Sequence, residues 1–409
     1  MAMHVIFLEP AFPGNQREFV RALHGAGALV SAIGTAPVEA FDHELRSWLY
    51  GYERVGSTAS VEALLGAVRN IQRRGPWVHK LECTIEALML PAAEVRELTS
   101  IPGMSVAQTT LVRDKYRMKQ YLQARGIRTA RSAEVGTLEE ARAFVEAVGW
   151  PIILKPLAAA GAAGTWRADD VQGLLTAVRE SGMSPQRKMQ LEEFISGHEG
   201  FFDTLTVNGE VVYEQICHYY PNVLEAMRTR DCSPLVMVTN RIEAEGYREL
   251  RVFGRQVIQA LGLETCPTHM EWFYGPKGLF FSEIGARPPG VRVWDLYCAA
   301  NEFDLYQEWA NGVVHGRAHP RPSRRFSAGM VALRPNRDGR IVGYSGVEEV
   351  QRRYGEWILR MHLPPVGSGT QPVESGFMGN AWLWARHPDY DACKAMLEDV
   401  GRTLRVWAE

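Results

Sequence analysis

Two acidic residues, Glu271 and Glu283, lie on either side of a Gly-Pro-Lys-Gly turn within the segment 268–290. The side chains on each side of the turn alternate as in β-strands, which predicts a hairpin with both carboxylates on one face. Hard Mg²⁺ is commonly held by one or two carboxylates together with substrate phosphates. Arg287, four residues after Glu283, places a fixed cation near an anion on such a metal. The segment therefore predicts a magnesium site for phosphate chemistry, and two solvated acids on an exposed sheet face are the alternative.

A lysine, Lys155, closes the apolar strand predicted over 149–155. It is followed directly by a run of small residues, 158–165, which contains Gly161 and Gly164. Small residues allow backbone amides to approach phosphate oxygens closely. The pattern favours a phosphate-covering loop, and an ordinary surface turn is the alternative.

Two further segments carry candidate nucleotide ligands. Lys115 begins an amphipathic helix predicted over 113–126, which ends at a glycine. The segment 189–199 predicts a strand and a short linker, and another strand is predicted over 201–207, an arrangement that offers backbone groups to a planar base. Each feature alone is also typical of a solvated surface, so the prediction of a nucleotide site depends on finding these features together. The candidates in the second segment are Glu192, Glu193, Phe194, Ile195 and Glu199.

In this order along the chain, these elements resemble the ATP-grasp superfamily in its carboxylate–amine ligase type, and the resemblance covers most of the sequence. It implies that ATP is held by both side-chain and backbone groups. The implied ligands are Lys115 and Lys155 for the phosphates, Gly161 and Gly164 in the loop over them, Glu192, Glu193, Phe194 and Ile195 for adenine, and Glu199 for ribose.

The resemblance also implies a metal and a catalytic set. Glu271 and Glu283 would hold Mg²⁺ or Mn²⁺, and Arg287 with Lys155 would steady the transferred phosphoryl group electrostatically. Many members have Asn two residues after the second acid, whereas this chain has Gly285. Three interpretations follow: water fills the vacant metal position, Gly285 makes room for a bulky substrate, or the chain is a weak catalyst.

Composition narrows the class of protein. The 409 residues are 46% hydrophobic, enough to bury two or three cores. A formal net charge of −2 without long basic runs predicts no nucleic-acid partner. No apolar stretch reaches the roughly 18 residues of a membrane span, so we expect no membrane partner and a cytoplasmic protein. The six cysteines lack zinc-site spacing and are predicted to be free thiols.

The predicted fold class is α/β and α+β, in a three-domain ATP-grasp architecture. Residues 1–111 predict an open-sheet domain that begins strand, helix, strand, and the segment 105–110 is expected to cross into the next domain. Residues 112–318 predict the ATP-grasp module, with a mobile lid over about 131–195. Residues 319–409 predict a strand-rich α+β domain that resembles the carboxy-terminal domain of biotin-carboxylase-like members.

The substrate pocket is expected in the aromatic and charged segment 215–234 and just after the hairpin. Arg228, Arg230 or Arg292 would grip a carboxylate bidentately, and Tyr219 would form a pocket wall. A solvated surface loop is the alternative interpretation of 215–234.

The predicted activity is an ATP- and Mg-dependent ligase. It would convert a carboxylate to an acyl phosphate and join it to an amine, with amino-acid-like substrates. Two alternatives stay open: carboxylation of the biotin-carboxylase type, and a non-catalytic, regulatory ATP-binding protein. A homodimer is expected from the family resemblance alone.

Overall fold

The computed structural model describes residues 2–157, 164–290 and 292–409. The predicted loop residue Gly161 lies outside these ranges. Within them, no helix is long and apolar enough to cross a bilayer. All six cysteines are free, and three of them are buried.

The amino-terminal part is a parallel four-stranded sheet with strand order β3-β2-β1-β4. Its first strand is buried along its whole length because both faces are covered, and its residues 5–8 are all apolar. The predicted strand, helix, strand start is confirmed. The elements are β1 (His4–Leu8), α1 (Gln16–Gly25), β2 (Leu29–Gly34), α2 (His43–Trp48), β3 (Gly51–Arg54), α3 (Val61–Arg74), β4 (Lys80–Glu82) and α4 (Met89–Thr99).

Two helices, α5 (Val106–Arg113) and α6 (Lys115–Gln123), lead to the next sheet. The crossing segment predicted over 105–110 is mostly helical, because α5 begins at Val106. The Ser105 hydroxyl accepts a bond from the amide of Gln108, and the Gln108 side-chain oxygen accepts one from the Ser105 amide. This capping box satisfies free amide groups and starts the helix.

A four-stranded antiparallel sheet with order β5-β8-β6-β7, here called the lid sheet, lies within the predicted range 131–195. A capping box of Thr137 and Glu140 starts its first helix. The elements are β5 (Ser132–Val135), α7 (Leu138–Val148), β6 (Ile152–Pro156), β7 (Trp166–Ala168), α8 (Val171–Ser181) and β8 (Met189–Glu193).

The largest sheet has eight strands in the order β13-β12-β9-β10-β11-β14-β17-β16. Its strands and the helices between them are β9 (His198–Val207), β10 (Glu210–Tyr220), α9 (Val223–Ala226), β11 (Leu235–Val238), α10 (Arg248–Ala260), β12 (Cys266–Gly275), β13 (Gly278–Gly285), α11 (Val293–Asn301), α12 (Leu305–His315), β14 (Ser327–Leu333), β16 (Ile358–His362) and β17 (Ala381–His387). A separate two-stranded sheet and two helices complete the chain: β15 (Ile341–Ser345), α13 (Val347–Tyr354), α14 (Tyr390–Thr403) and β18 (Arg405–Ala408).

The predicted boundary at 318/319 falls inside the eight-stranded sheet. β11 pairs antiparallel with β14, so one ladder continues across the proposed junction. The division into 1–111, 112–318 and 319–409 stays a prediction. The three-sheet α/β architecture is as expected: a parallel sheet first, the antiparallel lid sheet next, and a large antiparallel sheet last.

Candidate active site

The two acids of the predicted hairpin lie directly opposite each other. β12 and β13 form the hairpin as expected, and Glu271 pairs with Glu283 in its register. Side chains paired across an antiparallel ladder project from one face. The Glu271 and Glu283 side chains keep 18% and 23% of their surface exposed, so both carboxylates are accessible from one cleft.

Lys115 faces this hairpin from the first residue of α6. Its ammonium group forms an ion pair with Glu283. Burial lowers the pKa of Lys115 to about 7, with a further contribution from the nearby charge of Lys155. A positive group thus already lies against the carboxylate that the sequence assigns to a metal.

Lys155, at the end of β6, pairs with Glu192 of β8 at 3.1 Å. A third residue, Lys119, was not predicted, and it pairs with the other oxygen of the same carboxylate. Burial opposes the charge of Glu192, but the two lysines outweigh it and lower the pKa of Glu192 to about 2. Lys119 lies four residues after Lys115, so both project from one face of α6. That spacing was the available sequence signal.

These groups line one cavity of about 520 Å³ between the lid sheet and the hairpin. Most of the predicted nucleotide and metal ligands meet there. The predicted residues in its wall are Lys115, Lys155, Glu192, Glu193, Phe194, Ile195, Glu199, Arg228, Glu271 and Glu283. Residues that the sequence did not indicate are Lys119, Ala130, Ile153 and Phe281.

The end of β8 and the two residues after it, 193–195, line the cavity. Both oxygens of the Glu193 side chain are bound by Arg131, through its amide and its Nε, each at 3.0 Å. Phe194 is covered by the Arg167 guanidinium, 4.4 Å from the ring centroid. With the Glu193 carboxylate occupied, backbone groups and the apolar Phe194 and Ile195 are what this segment offers to a planar ligand.

Glu199 lies on β9, not in the linker before it as the sequence suggested. Its carboxylate accepts a bond of 2.7 Å from the Val223 amide at the start of α9. Burial raises the pKa of Glu199 to about 8, and the charge of Glu271 adds to the shift. This carboxyl is well placed to accept from or donate to a ligand hydroxyl.

Arg287 is held beside the cavity by Glu86, an acid that the sequence analysis missed. Glu86 accepts from Arg287 at 2.7 and 2.8 Å and from Arg113 at 2.7 Å. It lies in a single 3₁₀ turn, which has no periodic pattern to detect. A Cβ atom at Gly285 would lie 3.3 Å from Cγ of Arg287. The nearest atoms to that position belong to Arg287, and the interpretation that Gly285 makes room for a bulky substrate stays a prediction.

Behind Glu271 lies a buried chain of polar groups. Asp203 accepts from Tyr297 at 2.5 Å and pairs with Nδ1 of His269 at 2.8 Å. Nε2 of His269 is 3.8 Å from Glu271. Burial opposes a charge on His269, but Asp203 outweighs it and raises the pKa of His269 to about 9. The network fixes the base of the hairpin on the side of Gly285, which pairs with His269.

Three predicted substrate residues are not among the described residues of the cavity wall. Tyr219 lies on β10 with 9% exposure, packed between Phe201 and Phe377. Arg230 pairs with Asp338 at 2.7 Å, and Arg292 bonds Asp295 at 2.6 Å. The predicted excursion over 215–234 is mainly the end of β10 and the short helix α9. Of the four candidates, Arg228 reaches the cavity.

Gly164 is the described member of the predicted glycine pair. It has a φ of +66°, a left-handed conformation that favours glycine. Gly164 thus forms a turn two residues before β7.

The donor set fits Mg²⁺ when phosphates complete it. In the described ranges, no three His, Cys, Asp or Glu side chains lie close enough together to hold a metal by themselves. Mg²⁺ needs fewer protein ligands than that, because it keeps waters and binds phosphate oxygens. Two opposed carboxylates with a cation already beside one of them agree with this mode of binding.

Comparisons with known proteins agree with the geometry. The family model for the carbamoyl-phosphate synthase L chain, ATP binding domain, matches residues 114–205. An L-arginine-specific L-amino acid ligase of Bacillus subtilis is 25% identical over 318 residues, covering 76% of this chain and 75% of the relative. The alanine–anticapsin ligase of Bacillus subtilis strain 168 is 25% identical over 46% of this chain and 43% of its own length.

Solved structures share the fold over the whole chain. An L-amino acid ligase from Bacillus licheniformis superimposes with a TM-score of 0.76 and 18% identity, covering 100% of this chain and 99% of that one. The biotin carboxylase domain dimer of a Hydrogenobacter thermophilus 2-oxoglutarate carboxylase, in complex with MgADP, gives 0.70 and 16% over 99% of this chain and 91% of that one.

Proposed function

This chain belongs to the ATP-grasp superfamily and is a carboxylate–amine ligase, and we propose that it joins amino acids through an amide bond at the expense of ATP. The observation that carries the proposal is the meeting of two opposed carboxylates and two lysine–carboxylate clusters in one cavity. The substrates named for its relatives support amino acids as the substrate class.

In the first step, a carboxylate oxygen of the acid attacks the γ-phosphorus of ATP. The new O–P bond gives an acyl phosphate, and the bond to the β-phosphate oxygen breaks to release ADP. Lys115 and Lys155 bind the phosphates, and Arg287 leaves Glu86 to neutralise the transferred group. Glu271 and Glu283 would hold Mg²⁺, which supplies charge neutralisation at the β- and γ-phosphates.

The other nucleotide contacts follow from the cavity wall. Backbone groups of 192–195 bind adenine, and Glu199 binds the ribose hydroxyls. The loop with Gly161 and Gly164 covers the phosphates and excludes water, which would otherwise hydrolyse the acyl phosphate. Arg228 contributes a fixed charge for a substrate carboxylate.

In the second step, the amine attacks the acyl carbon. The new C–N bond forms, phosphate leaves with the electron pair of the C–O bond, and the amine loses a proton. No protein nucleophile takes part, so the enzyme acts by positioning and electrostatics. We also propose a cytoplasmic location, because the reaction consumes ATP, and a homodimer on the family resemblance.

The test is incubation of the purified protein with Mg-ATP and a panel of amino acids, singly and in pairs. Phosphate release is measured together with the masses of the products. We expect release to require an acid and an amine together and to match a new amide mass. Release that needs bicarbonate instead would favour carboxylation. Binding of ATP with no release under any condition would favour a non-catalytic protein.

A separate measurement of molar mass tests the proposed homodimer. Light scattering of the purified chain should give about twice the 45.8 kDa of one subunit. A mass equal to one subunit contradicts it.

A further inference from the structure

Lys119 lies inside the protein although a lysine in an amphipathic helix normally faces water. Its relative exposure is 1%, and it is among the largest fully buried side chains. Burying a charged ammonium group is costly unless it is paired. Lys119 forms an ion pair with Glu192, so its effect on the site acts through that carboxylate.

The Glu192 carboxylate divides its two oxygens between two lysines. Oε1 binds Lys119 of α6, and Oε2 lies 3.1 Å from Nζ of Lys155. Glu192 and Lys155 belong to neighbouring strands of the lid sheet, whereas Lys119 belongs to a helix outside that sheet. A single carboxylate therefore joins the lid sheet to α6 and holds Lys155 in place.

The charges in this group do not cancel. Two ammonium groups against one carboxylate leave a surplus of one positive charge. The Lys155 side chain is 12% exposed and the Lys119 side chain 1%, so the surplus is presented to the cavity through Lys155. Without Lys119, Glu192 and Lys155 would form a closed neutral pair, and Lys155 would be less available to an anion.

We propose that Lys119 is a positioning residue for nucleotide phosphates: it occupies the Glu192 carboxylate and thereby keeps the ammonium group of Lys155 directed at the anion. Lys119 does not itself touch the nucleotide. The inference rests on the proposed ATP site and adds a residue to it.

The experiment compares ligands that differ in phosphate. ATP, ADP and adenosine are titrated by calorimetry, without metal, into wild type and Lys119→Met. We expect ATP and ADP to bind about tenfold more weakly to the variant, which corresponds to about 1.4 kcal/mol. Adenosine should bind equally to both, because the contacts to the base and ribose are unchanged.

A matched control removes a lysine from the same lid sheet. Lys188 pairs with Glu134 at 2.8 Å on the exposed side, and Lys188→Met should bind all three ligands as wild type does. If Lys119→Met does not fold, as judged by circular dichroism, Lys119→Gln replaces it with the same expectation. That side chain still donates to Glu192 but lacks the charge.

A second background separates positioning from a direct charge effect. In Lys155→Met, the further change Lys119→Met should alter ATP affinity less than about twofold, because the group through which Lys119 acts is absent. An undiminished effect in that background, or an equal loss of adenosine binding, overturns the proposal. Failure of the wild type to bind ATP both with and without Mg²⁺ would instead contradict the proposed function.

Discussion

The two ends of the cavity use the same pair of residue types in opposite proportion. At the hairpin end, two carboxylates, Glu271 and Glu283, face Lys115. At the lid end, one carboxylate, Glu192, faces Lys119 and Lys155. Both lysine–glutamate contacts of α6 are made one helical turn apart.

The proportion decides which ligand each end attracts. A surplus of carboxylate at the hairpin favours a cation, and a surplus of ammonium at the lid favours an anion. A metal–phosphate chain placed between them satisfies both at once. The ion pair of Lys115 with Glu283 joins a cation to one of the two carboxylates at the hairpin end.

The largest expected effect on activity comes from removing a carboxylate at the hairpin end. Glu283→Gln keeps the shape of the side chain and removes one of the two carboxylates. We expect ADP formation to fall at least about 100-fold, because a metal ligand at the transferred phosphate is lost. ADP release at saturating Mg-ATP measures it.

Two controls keep this result interpretable. Glu210→Gln, at an exposed position at the start of β10, should leave ADP formation unchanged. The melting temperature of Glu283→Gln should stay near that of wild type. Retained turnover in Glu283→Gln would refute the two-carboxylate site.

Lys155→Ala removes one of the two lysines at the lid end. The affinity for ATP should fall about 10- to 100-fold, because one charge-assisted contact to the phosphates is lost. Calorimetric titration measures it, with Lys188→Ala as the control from the same sheet. Unchanged ATP affinity would remove the phosphate role from Lys155.

The sequence was sufficient for the hairpin end. Alternation of side chains about a tight turn fixes which residues share a face, and Glu271 and Glu283 obey that rule in the structure. The long helix before the hairpin was predictable as well, since its apolar positions follow the helical period over 248–260.

The lid end was only half predictable. Lys119 is indistinguishable by residue type from a solvated helix lysine, because its burial depends on the lid sheet that packs over α6. Glu86 was missed for a related reason: its partners, Arg113 and Arg287, are distant in sequence. Contacts that join separate elements leave no local pattern.

The position of Tyr219 was not predicted, for another reason. The segment 210–220 is rich in β-branched and aromatic residues, the composition of a buried strand. The interpretation of 215–234 as a pocket segment gave Tyr219 a place in the pocket wall, whereas β10 places that ring in the core.

A smaller effect concerns stability at the lid end. The pKa of Glu192 in the folded protein, about 2, lies below the ordinary 4.5 of an unfolded glutamate. Its contribution to stability is therefore complete above about pH 4.5 and is lost as the pH falls toward 2. Glu192→Gln should lower the free energy of unfolding by on the order of 2–3 kcal/mol at pH 6, and less at pH 3.5.

Urea unfolding at several pH values between 3.5 and 7 measures this difference. Glu134→Gln removes the exposed acid that pairs with Lys188 and should cost less than about 0.5 kcal/mol at any of these pH values. A difference for Glu192→Gln that does not shrink below pH 4.5 would show that its charge is not held as the geometry requires.

The smallest expected effect concerns metal binding at the hairpin end. Gly285→Asn introduces the side chain that many ATP-grasp members have at this position. We expect the apparent Mg²⁺ affinity to change less than about threefold, because Glu271 and Glu283 already fit a metal whose remaining positions water fills. The kcat should fall several-fold, since the new Cβ lies 3.3 Å from Arg287 and forces that side chain to move.

Gly285→Ala is the matched comparison, because it brings the same Cβ without a metal ligand. If the side chain at 285 matters through Arg287, both variants lower kcat alike and neither tightens Mg²⁺ binding. A large gain in Mg²⁺ affinity confined to Gly285→Asn would mean that the hairpin end of this chain lacks a ligand. Glu271 and Glu283 alone would then not be enough to bind Mg²⁺. The proposed preference of the hairpin end for a cation would need a third ligand.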